Sequence, residues 1–286
     1  MGLGGYLTWT AAAREIVSSA GIPNLKVFPF EQHGSLIRPI KSPIFKNNPN
    51  FCQNISEGGD MYFPLQLNHP QTNYCKDDTP QKAVHRYDKH IIHQICEFYG
   101  IRNARLKCDI FLDSDEENHI QSIIVKNKVP SRFLVIDPSC NKEYTKNKFD
   151  EFAKWQSVVN DLKGDITFVQ VGLAGSRLLE GAIDITGQTS FRHAAGIIKR
   201  SLGFVGSEGG LVHAATSFNK RSVVIITGFI HPDLVAYPLN KNIWINGDNH
   251  GPCGMKAECK KCTKASAEFD HNIISDNINE LLGELN

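Results

Sequence analysis

The sequence predicts an α/β protein with two parallel-sheet domains that face each other across a cleft, and three observations support this prediction. Short β-branched or aromatic runs alternate with longer helical patterns, as they do in βαβ units. The run at residues 133–136 is apolar without interruption, which is typical of a strand buried on both faces. The length of 286 residues suits two medium domains better than one core.

The composition excludes several classes of protein. With 41% hydrophobic and 21% charged residues, the chain is expected to be soluble and globular rather than disordered. A formal net charge of +1 provides no general attraction to nucleic acid, so no nucleic-acid partner is expected. No apolar run reaches the roughly 18–20 residues of a bilayer span, and the N-terminus does not resemble a secretion signal. Eight cysteines in such a chain indicate reduced thiols and a cytoplasmic location.

The N-terminal domain is predicted to span residues 1–127. Its clearest helix covers residues 80–99, because Thr79 is a suitable cap, Pro80 suits the first helical position and Gly100 ends the pattern. A polar stretch without a predicted element covers residues 113–127. The predicted strands of this domain lie at residues 25–30, 60–63 and 107–112.

The second domain is predicted to span residues 128–270, followed by a closing segment at 271–286 that contains a helix. Its predicted strands lie at residues 133–136, 166–171, 203–205 and 222–227, and its predicted helices at 149–162, 190–200, 210–217 and 271–284. Open parallel sheets bind ligands outside the carboxyl ends of their strands. The chemistry is therefore expected in the loops that follow these strands.

The segment at residues 203–217 is the strongest candidate for a binding site. A strand ends there, glycines permit a tight turn, and a helix begins with small residues. Free N–H groups at Gly209, Gly210 and Leu211 would favour an anion such as pyrophosphate. Glu208 is an acceptor for ribose or sugar hydroxyls, and His213 lies one turn into the helix. A glycine-rich βα turn with a satisfied histidine is an equally simple interpretation of the spacing alone.

A second candidate site is formed by His250, Cys253, Cys259 and Cys262, in a segment without a strand or helix pattern. Thiolates at C-x2-C spacing can share one metal ion, and three cysteines with one histidine form a familiar tetrahedral zinc set. A closed four-ligand site predicts a structural metal rather than a catalytic one. The alternative is a lysine-flanked loop with free thiols.

Several segments, in order along the chain, resemble those of glycosyltransferase family 9, the heptosyltransferase family. Residues 203–217 resemble its donor-site motif, and residues 2–14 resemble its N-terminal glycine loop and first helix. Residues 135–139 resemble the strand and loop that open its second domain. Residues 168–172 resemble the next strand, and residues 184–190 resemble the Gly-x-Thr-Ser helix entry. The order and spacing of these segments make the resemblance specific.

The resemblance implies the GT-B architecture, in which two Rossmann-like domains bind acceptor and nucleotide-sugar donor across an interdomain cleft. It implies an inverting transfer of a sugar, typically a heptose from ADP-heptose, with no metal required for catalysis. The implied acceptor is a bacterial surface glycan (lipopolysaccharide or capsule), a lipid-linked precursor or a protein. Such a role is compatible with peripheral contact to the inner membrane. Some relatives carry a similar late cysteine element, which extends the structural-metal prediction to zinc or iron.

The resemblance also assigns residues to donor binding. Those assigned are Ser139, Thr189, Glu208, Gly209, Gly210 and His213. The family places a phosphate-binding lysine just before the first helix of its second domain. Lys142, Lys146 and Lys148 compete for that role, and Lys146 is favoured, whereas a solvated lysine on a helix-entry loop is the simple alternative for each.

Two departures from the family pattern affect the catalytic prediction. Where the family has Gly-Asp, with the aspartate as the proposed base, this chain has Gly5, which cannot accept a proton. Asp60, Asp88 and His90 are the candidate substitutes, and a solvated surface role is the alternative for the aspartates. The first strand of the N-terminal sheet, which precedes the glycine loop in the family, is missing from this sequence. A donor-only epimerase or hydrolase and a non-catalytic sugar-nucleotide binder are therefore the competing hypotheses.

Overall fold

A computed structural model describes residues 2–52 and 61–285 of the chain. The elements of the first half are α1 (Leu3–Ala20), β1 (Lys26–His33), β2 (Leu36–Pro39), β3 (Tyr62–Gln66), β4 (Cys75–Asp78), β5 (Ala83–His85), α2 (Ile91–Phe98) and α3 (Ser114–Lys126). The strand β1 pairs parallel with β3 and antiparallel with β2, and β4 and β5 form a separate antiparallel hairpin. Within the described residues, no helix is both long and apolar enough to cross a bilayer.

The predicted helix at residues 80–99 is wrong over its first half. Residues 83–85 form β5, because the Ala83 N–H donates to the Gly254 carbonyl (2.8 Å) and draws the segment into extended pairing. Thr79 does not cap a helix; its hydroxyl accepts from the Lys82 N–H (3.0 Å) and closes the hairpin turn. The helical part is α2, and its cap is His90, whose Nδ1 accepts from the Ile92 N–H (3.1 Å).

Two further predictions for the first half are corrected. Residues 107–112 are not a strand, because side chains satisfy their backbone: Arg14 donates to the Lys107 carbonyl (2.9 Å) and Thr10 Oγ1 accepts from the Asp109 N–H (2.8 Å). The polar stretch at 113–127 is the helix α3. It begins with a capping box, in which the Asp113 and Glu116 side chains each accept from the other's backbone N–H.

The second half follows its predicted alternation closely. The elements are β6 (Phe133–Asp137), α4 (Phe152–Leu162), β7 (Thr167–Gln170), β8 (Ile183–Asp184), α5 (Phe191–Arg200), β9 (Phe204–Ser207), α6 (Gly210–Ser217), β10 (Ser222–Thr227), α7 (Pro232–Val235), β11 (Lys241–Ile245), α8 (Lys260–Glu268) and α9 (Asn272–Gly283). The helix α6 and the strand β10 have the predicted bounds, whereas the sequence pattern did not predict β8, α7, β11 or α8.

These strands form one parallel sheet in the order β11-β10-β9-β6-β7-β8. One face packs against α4 and α9, where Trp155 and Ile278 are fully buried. The other face packs against α5 and α6, and its apolar cluster continues into the first half of the chain through α1. Because both faces of this sheet are covered by helices, the side chains on both faces are buried, which explains the uninterrupted apolar runs in the sequence.

Candidate functional site

The site lies where the strand order of the large sheet reverses. From β6 the chain proceeds outward to β7 and β8, whereas from β9 it proceeds to β10 and β11 on the other side. The carboxyl ends of β6 and β9 are adjacent, since a Cβ at Gly206 would lie 3.0 Å from the Asp137 carbonyl oxygen. Ligands of open α/β sheets bind in the crevice at this reversal. The loop after β6 and the turn after β9 therefore form its walls.

The turn after β9 presents free backbone donors. The Glu208 N–H donates to the Ile225 carbonyl (2.8 Å), which ends the sheet pairing. The next N–H groups, those of Gly209, Gly210 and Leu211, have no acceptor in the described part of the chain. No side chain caps α6, and the turn residues are partly exposed. This end of α6 is open to a ligand that accepts hydrogen bonds.

A second helix begins at the same place. The predicted glycine loop is the first turn of α1, which starts at Leu3 and also lacks a side-chain cap. A Cβ at Gly4 would lie 2.9 Å from Gly210 Cα and 3.3 Å from His213 Cδ2, so this close approach requires glycine. Two uncapped helix N-termini thus converge, and each contributes a positive dipole end and free N–H groups.

Lys148 is the lysine that reaches this turn. Its Nζ is ion-paired with the Glu208 carboxylate and also donates to the Glu208 carbonyl (3.3 Å). Burial raises the pKa of Glu208, but the Lys148 charge and hydrogen bond outweigh it, so the pKa lies below its usual value. Lys142 is paired with Asp150 (2.6 Å). All three lysines line a neighbouring cavity of 460 Å³, but among the described residues it is Lys148, and not the favoured Lys146, that is paired with Glu208.

His213 faces the converging helix ends from inside α6. Its side chain is buried, and its Nδ1 lies 2.6 Å from the Tyr237 hydroxyl. Burial lowers the pKa of His213 to about 4, although Glu208 acts in the opposite direction. The imidazole is therefore neutral near pH 7.

The two other residues assigned to donor binding lie at the edges of the site. Ser139 is exposed in the loop after β6, and its hydroxyl donates to Asp137 Oδ1 (2.5 Å). Thr189 is partly exposed beside Ser190, which caps α5 by accepting from the His193 N–H (3.2 Å). Their donor-binding roles stay predictions.

The candidate bases are placed differently from one another. Asp60 lies outside the described residues. Asp88 lies in the turn before α2, with its side chain 66% exposed and 3.6 Å from Lys89 Nζ. His90 is buried, and burial with the neighbouring histidines lowers its pKa to about 3. Its Nδ1 is already used in capping α2. Gly5 lies in the first turn of α1 and provides no proton acceptor beyond its backbone.

The sequence did not single out His85, which the structure places in the same region. The side chain is 1% exposed, and neither ring nitrogen has a partner among the described residues. Its ring packs against Tyr74 (5.5 Å between centroids) and Phe229 (5.1 Å). Burial lowers its pKa to about 4. No sequence signal was available, because the residue fell within a segment that had the pattern of a helix.

The cysteine and histidine cluster is assembled as predicted from its spacing. The ligand atoms of His250, Cys253, Cys259 and Cys262 all lie within 4.8 Å of one another. His250 Nε2 lies 3.1 Å from Cys259 Sγ, and Cys253 Sγ lies 3.4 Å from Cys262 Sγ. A tetrahedral zinc site with these ligands separates them by roughly 3.5–3.8 Å, so the donor set fits. Cys262 lies on α8, which corrects the expectation of a segment without helix.

Asn147 joins this cluster to the turn after β9. Its amide nitrogen donates to the Met255 (2.6 Å) and Ala257 (2.8 Å) carbonyls, and its Oδ1 accepts from the Cys259 N–H (2.7 Å). The side chain is buried, and the next residue is Lys148. The cysteine segment therefore fixes the backbone that carries the lysine of the site.

No protein-family model matches the sequence, and no curated protein matches it significantly. Solved structures match over almost the whole chain. The glycosyl transferase family 9 structure from Veillonella parvula has a TM-score of 0.64 and 12% identity, covering 99% of this chain and 95% of that chain. The iron-containing dodecameric glycosyltransferase TibC from enterotoxigenic E. coli has a TM-score of 0.68 and 12% identity, covering 99% and 74%. TibC in complex with ADP-D-β-D-heptose, where it is described as a heptosyltransferase, has a TM-score of 0.66 and 13% identity, covering 100% and 75%.

These matches to solved structures support the fold that the sequence predicts. The matched structures are glycosyltransferases, and they align along the chain from end to end. The α/β class and the large parallel sheet agree with the predicted GT-B architecture. The chain has the fold of the solved glycosyltransferase family 9 structures.

Proposed function

We propose that the chain is a glycosyltransferase of family 9 that takes a sugar from a nucleoside diphosphate, with ADP-heptose as the expected donor. The observation that carries this proposal is the convergence of two uncapped helix N-termini at Gly4 and Gly210, beside the Lys148–Glu208 pair. Free N–H groups at such ends are suited to a diphosphate. The TibC structure in complex with ADP-D-β-D-heptose supports the choice of donor.

Each group has a distinct role in the proposed reaction. The N–H groups of the two helix ends bind the diphosphate and stabilise the negative charge that grows on it as the sugar departs. Lys148 supplies a positive charge at the same place, while Glu208, kept ionised by Lys148, accepts hydrogen bonds from sugar or ribose hydroxyls. The acceptor oxygen displaces the diphosphate directly from the anomeric carbon of the sugar, whose configuration is thereby inverted. A base takes the proton of the acceptor hydroxyl.

The acceptor is proposed to be a bacterial surface glycan, a lipid-linked precursor or a protein. Among the described candidates for the base, Asp88 has the exposed carboxylate, whereas His90 is buried in a capping role. One alternative is a relative that binds the donor without transferring its sugar. It is favoured by Gly5, which stands where the family has its proposed catalytic aspartate. Product formation with any acceptor excludes that alternative, and donor hydrolysis without an acceptor indicates a donor-only enzyme.

Gly4→Ala tests the site directly. The new methyl group would lie 2.9 Å from Gly210 Cα, so the two helix ends must move apart. Overpacking of this kind costs about 1–3 kcal/mol, and we expect donor affinity to fall roughly tenfold or more. Calorimetric titration of ADP-, GDP-, UDP- and CDP-sugars measures the affinity and identifies the donor.

Gly2→Ala is the matched control for this experiment, since nothing lies within 4 Å of a Cβ at Gly2. The control should retain the wild-type affinity. Wild-type protein that binds none of the four nucleotide classes would contradict the proposed function. Equal affinities of the two variants would contradict the assignment of the diphosphate to the helix ends.

We also propose that the cluster of His250, Cys253, Cys259 and Cys262 holds one structural zinc or iron ion. The four ligand atoms support this assignment, and so does the description of TibC as iron-containing. The hydrogen bond between Cys253 and Cys262 lowers the pKa of Cys253 and raises that of Cys262, so the first thiolate of the pair forms at Cys253. The metal would hold the segment that Asn147 contacts.

Metal analysis of the purified protein should give about one zinc or iron ion per chain. Cys259→Ser should remove most of it, because a hydroxyl is a poor replacement for a thiolate ligand. Cys140→Ser is the control, since this thiol lies outside the cluster. Wild-type protein without stoichiometric zinc or iron would rule out the metal centre.

A further inference from the structure

A buried chain of three polar side chains leads from the first half of the protein to the candidate site. The Tyr237 hydroxyl lies 2.6 Å from His213 Nδ1 and 3.5 Å from Cys108 Sγ. Cys108 is fully buried, and Tyr237 and His213 are 1% and 7% exposed. Since the sequence offers no pattern that links residues 108, 213 and 237, this arrangement is visible in the fold alone.

The hydrogen bonds among these three side chains all run in one direction, from Cys108 to Tyr237 and from Tyr237 to His213. Burial raises the pKa of Cys108 to about 12 and that of Tyr237 well above its usual value, so both groups are protonated near pH 7. Sulfur is a weak acceptor, whereas a neutral imidazole nitrogen is a good one. The Tyr237 O–H therefore donates to His213 Nδ1, and the Cys108 S–H donates to the Tyr237 oxygen.

The Thr216 hydroxyl is a further neighbour of Tyr237 and Cys108, and its hydrogen bonds act to lower the pKa of both groups against the effect of burial. Thr216 Oγ1 donates to the His213 carbonyl (2.8 Å) and accepts from the Cys108 N–H (3.2 Å). Because Thr216 acts on Tyr237 as a donor, the Tyr237 proton remains available to His213 Nδ1. The His90 ring packs against the Tyr237 ring at 4.8 Å between centroids, and its Nδ1 is used in capping.

An imidazole that accepts at Nδ1 carries its proton on Nε2. His213 Nε2 has no hydrogen-bond partner among the described residues. It is also not one of their fully buried polar atoms that lack a partner. The neighbouring ring atom, Cδ2, lies 3.3 Å from the position of a Cβ at Gly4, where the two helix ends converge. The Nε2–H group thus lies beside the free backbone N–H groups.

We propose that Tyr237 is a positioning residue, which fixes His213 as the neutral tautomer that donates from Nε2 to an anion at the two helix ends. The identification of that anion as a nucleoside diphosphate rests on the proposed function. One consequence is that His213 does not replace the missing base at Gly5, because its Nε2 already carries a proton.

The tautomer can be measured without any substrate, from the nitrogen chemical shifts of histidine in ¹⁵N-labelled full-length protein. His213→Gln assigns the signals by removing them. In the wild type, Nδ1 should be unprotonated and Nε2 protonated. Tyr237→Phe, which keeps the ring and removes the hydroxyl, should give a mixture of tautomers and weaken ADP binding roughly three- to tenfold. Tyr99→Phe is the control, because its hydroxyl contacts the Gln66 backbone instead.

The outcomes separate this inference from the proposed function. A protonated Nδ1 in the wild type, or a Tyr237→Phe variant with unchanged tautomer and unchanged ADP affinity, overturns the inference. The expected tautomer, lost in Tyr237→Phe and kept in Tyr99→Phe, supports it. The same tautomer result in a wild type that binds no nucleoside diphosphate supports the role of Tyr237 and refutes the proposed donor.

Discussion

Replacing Lys148 by methionine is expected to lower donor affinity about 30-fold or more. The substitution leaves the partly buried Glu208 carboxylate without its cation, at the place proposed for the diphosphate. Loss of one partner from a hydrogen-bonded, buried charge pair typically costs about 2–5 kcal/mol, and repulsion between carboxylate and phosphate acts in the same direction. Titration of the variant with ADP and with the best donor measures the loss.

Lys146→Met is the matched control for this prediction. Lys146 is two residues away and lines the same neighbouring cavity as Lys148, but the described ion pair with Glu208 belongs to Lys148 alone. The control should bind ADP with close to wild-type affinity, and both variants should retain the wild-type circular dichroism spectrum. A larger loss in Lys146→Met than in Lys148→Met would reverse the assignment and favour the lysine chosen from the sequence.

The choice between these lysines illustrates where sequence reasoning ends. Spacing along a loop places Lys142, Lys146 and Lys148 equally near the start of a helix. Their different roles depend on the cysteine segment, which is more than 100 residues away and contacts Asn147 through three hydrogen bonds. Tyr237 and His85 were missed for the same reason, since their neighbours in the fold are distant in the sequence.

The second half of the chain was predictable because its local signals agree with its tertiary environment. The strand at residues 222–227 is β-branched after Ser222 and buried along its whole length, and the glycines at the start of α6 suit a turn that must lie close to Gly4. The helix pattern at residues 80–99 failed over its first half because hydrogen bonds to the cysteine segment, such as that from Ala83 to Gly254, determine the conformation. Tertiary pairing outweighed propensity there.

Replacing Arg192 by methionine is expected to lower the free energy of unfolding by about 3–5 kcal/mol. Arg192 on α5 binds the Glu116 carboxylate of α3 through two hydrogen bonds (2.6 and 2.8 Å), and it also donates to the Phe111 (2.5 Å) and Pro43 (3.1 Å) carbonyls. Its side chain is 5% exposed. Methionine fills much of the same space but removes the buried cation, so that the Glu116 carboxylate keeps the Asp113 N–H (3.1 Å) and the exposed Lys46 at 3.7 Å as its partners.

Lys199→Met provides a control on the same two helices. Lys199 pairs with Glu117 at 2.6 Å, but its side chain is 45% exposed, and such surface pairs contribute less than about 1 kcal/mol. Urea denaturation of both variants measures the difference. The double variant Arg192→Met/Glu116→Leu should recover part of the lost stability, because it removes the buried charge that has lost Arg192. A loss in Arg192→Met no greater than that in Lys199→Met would contradict a buried ion pair between the halves of the chain.

The pH dependence of this loss gives a second test with a definite sign. The hydrogen bond from Arg192 is the largest influence on the pKa of Glu116, which it lowers from the ordinary value. A carboxyl with a lowered folded pKa stabilises the protein above its unfolded pKa and loses that contribution as the pH falls through the folded pKa. The difference between wild type and Arg192→Met should therefore be constant near pH 7 and narrow below about pH 4. A difference that widens on acidification would show that Glu116 is not the charged partner of Arg192.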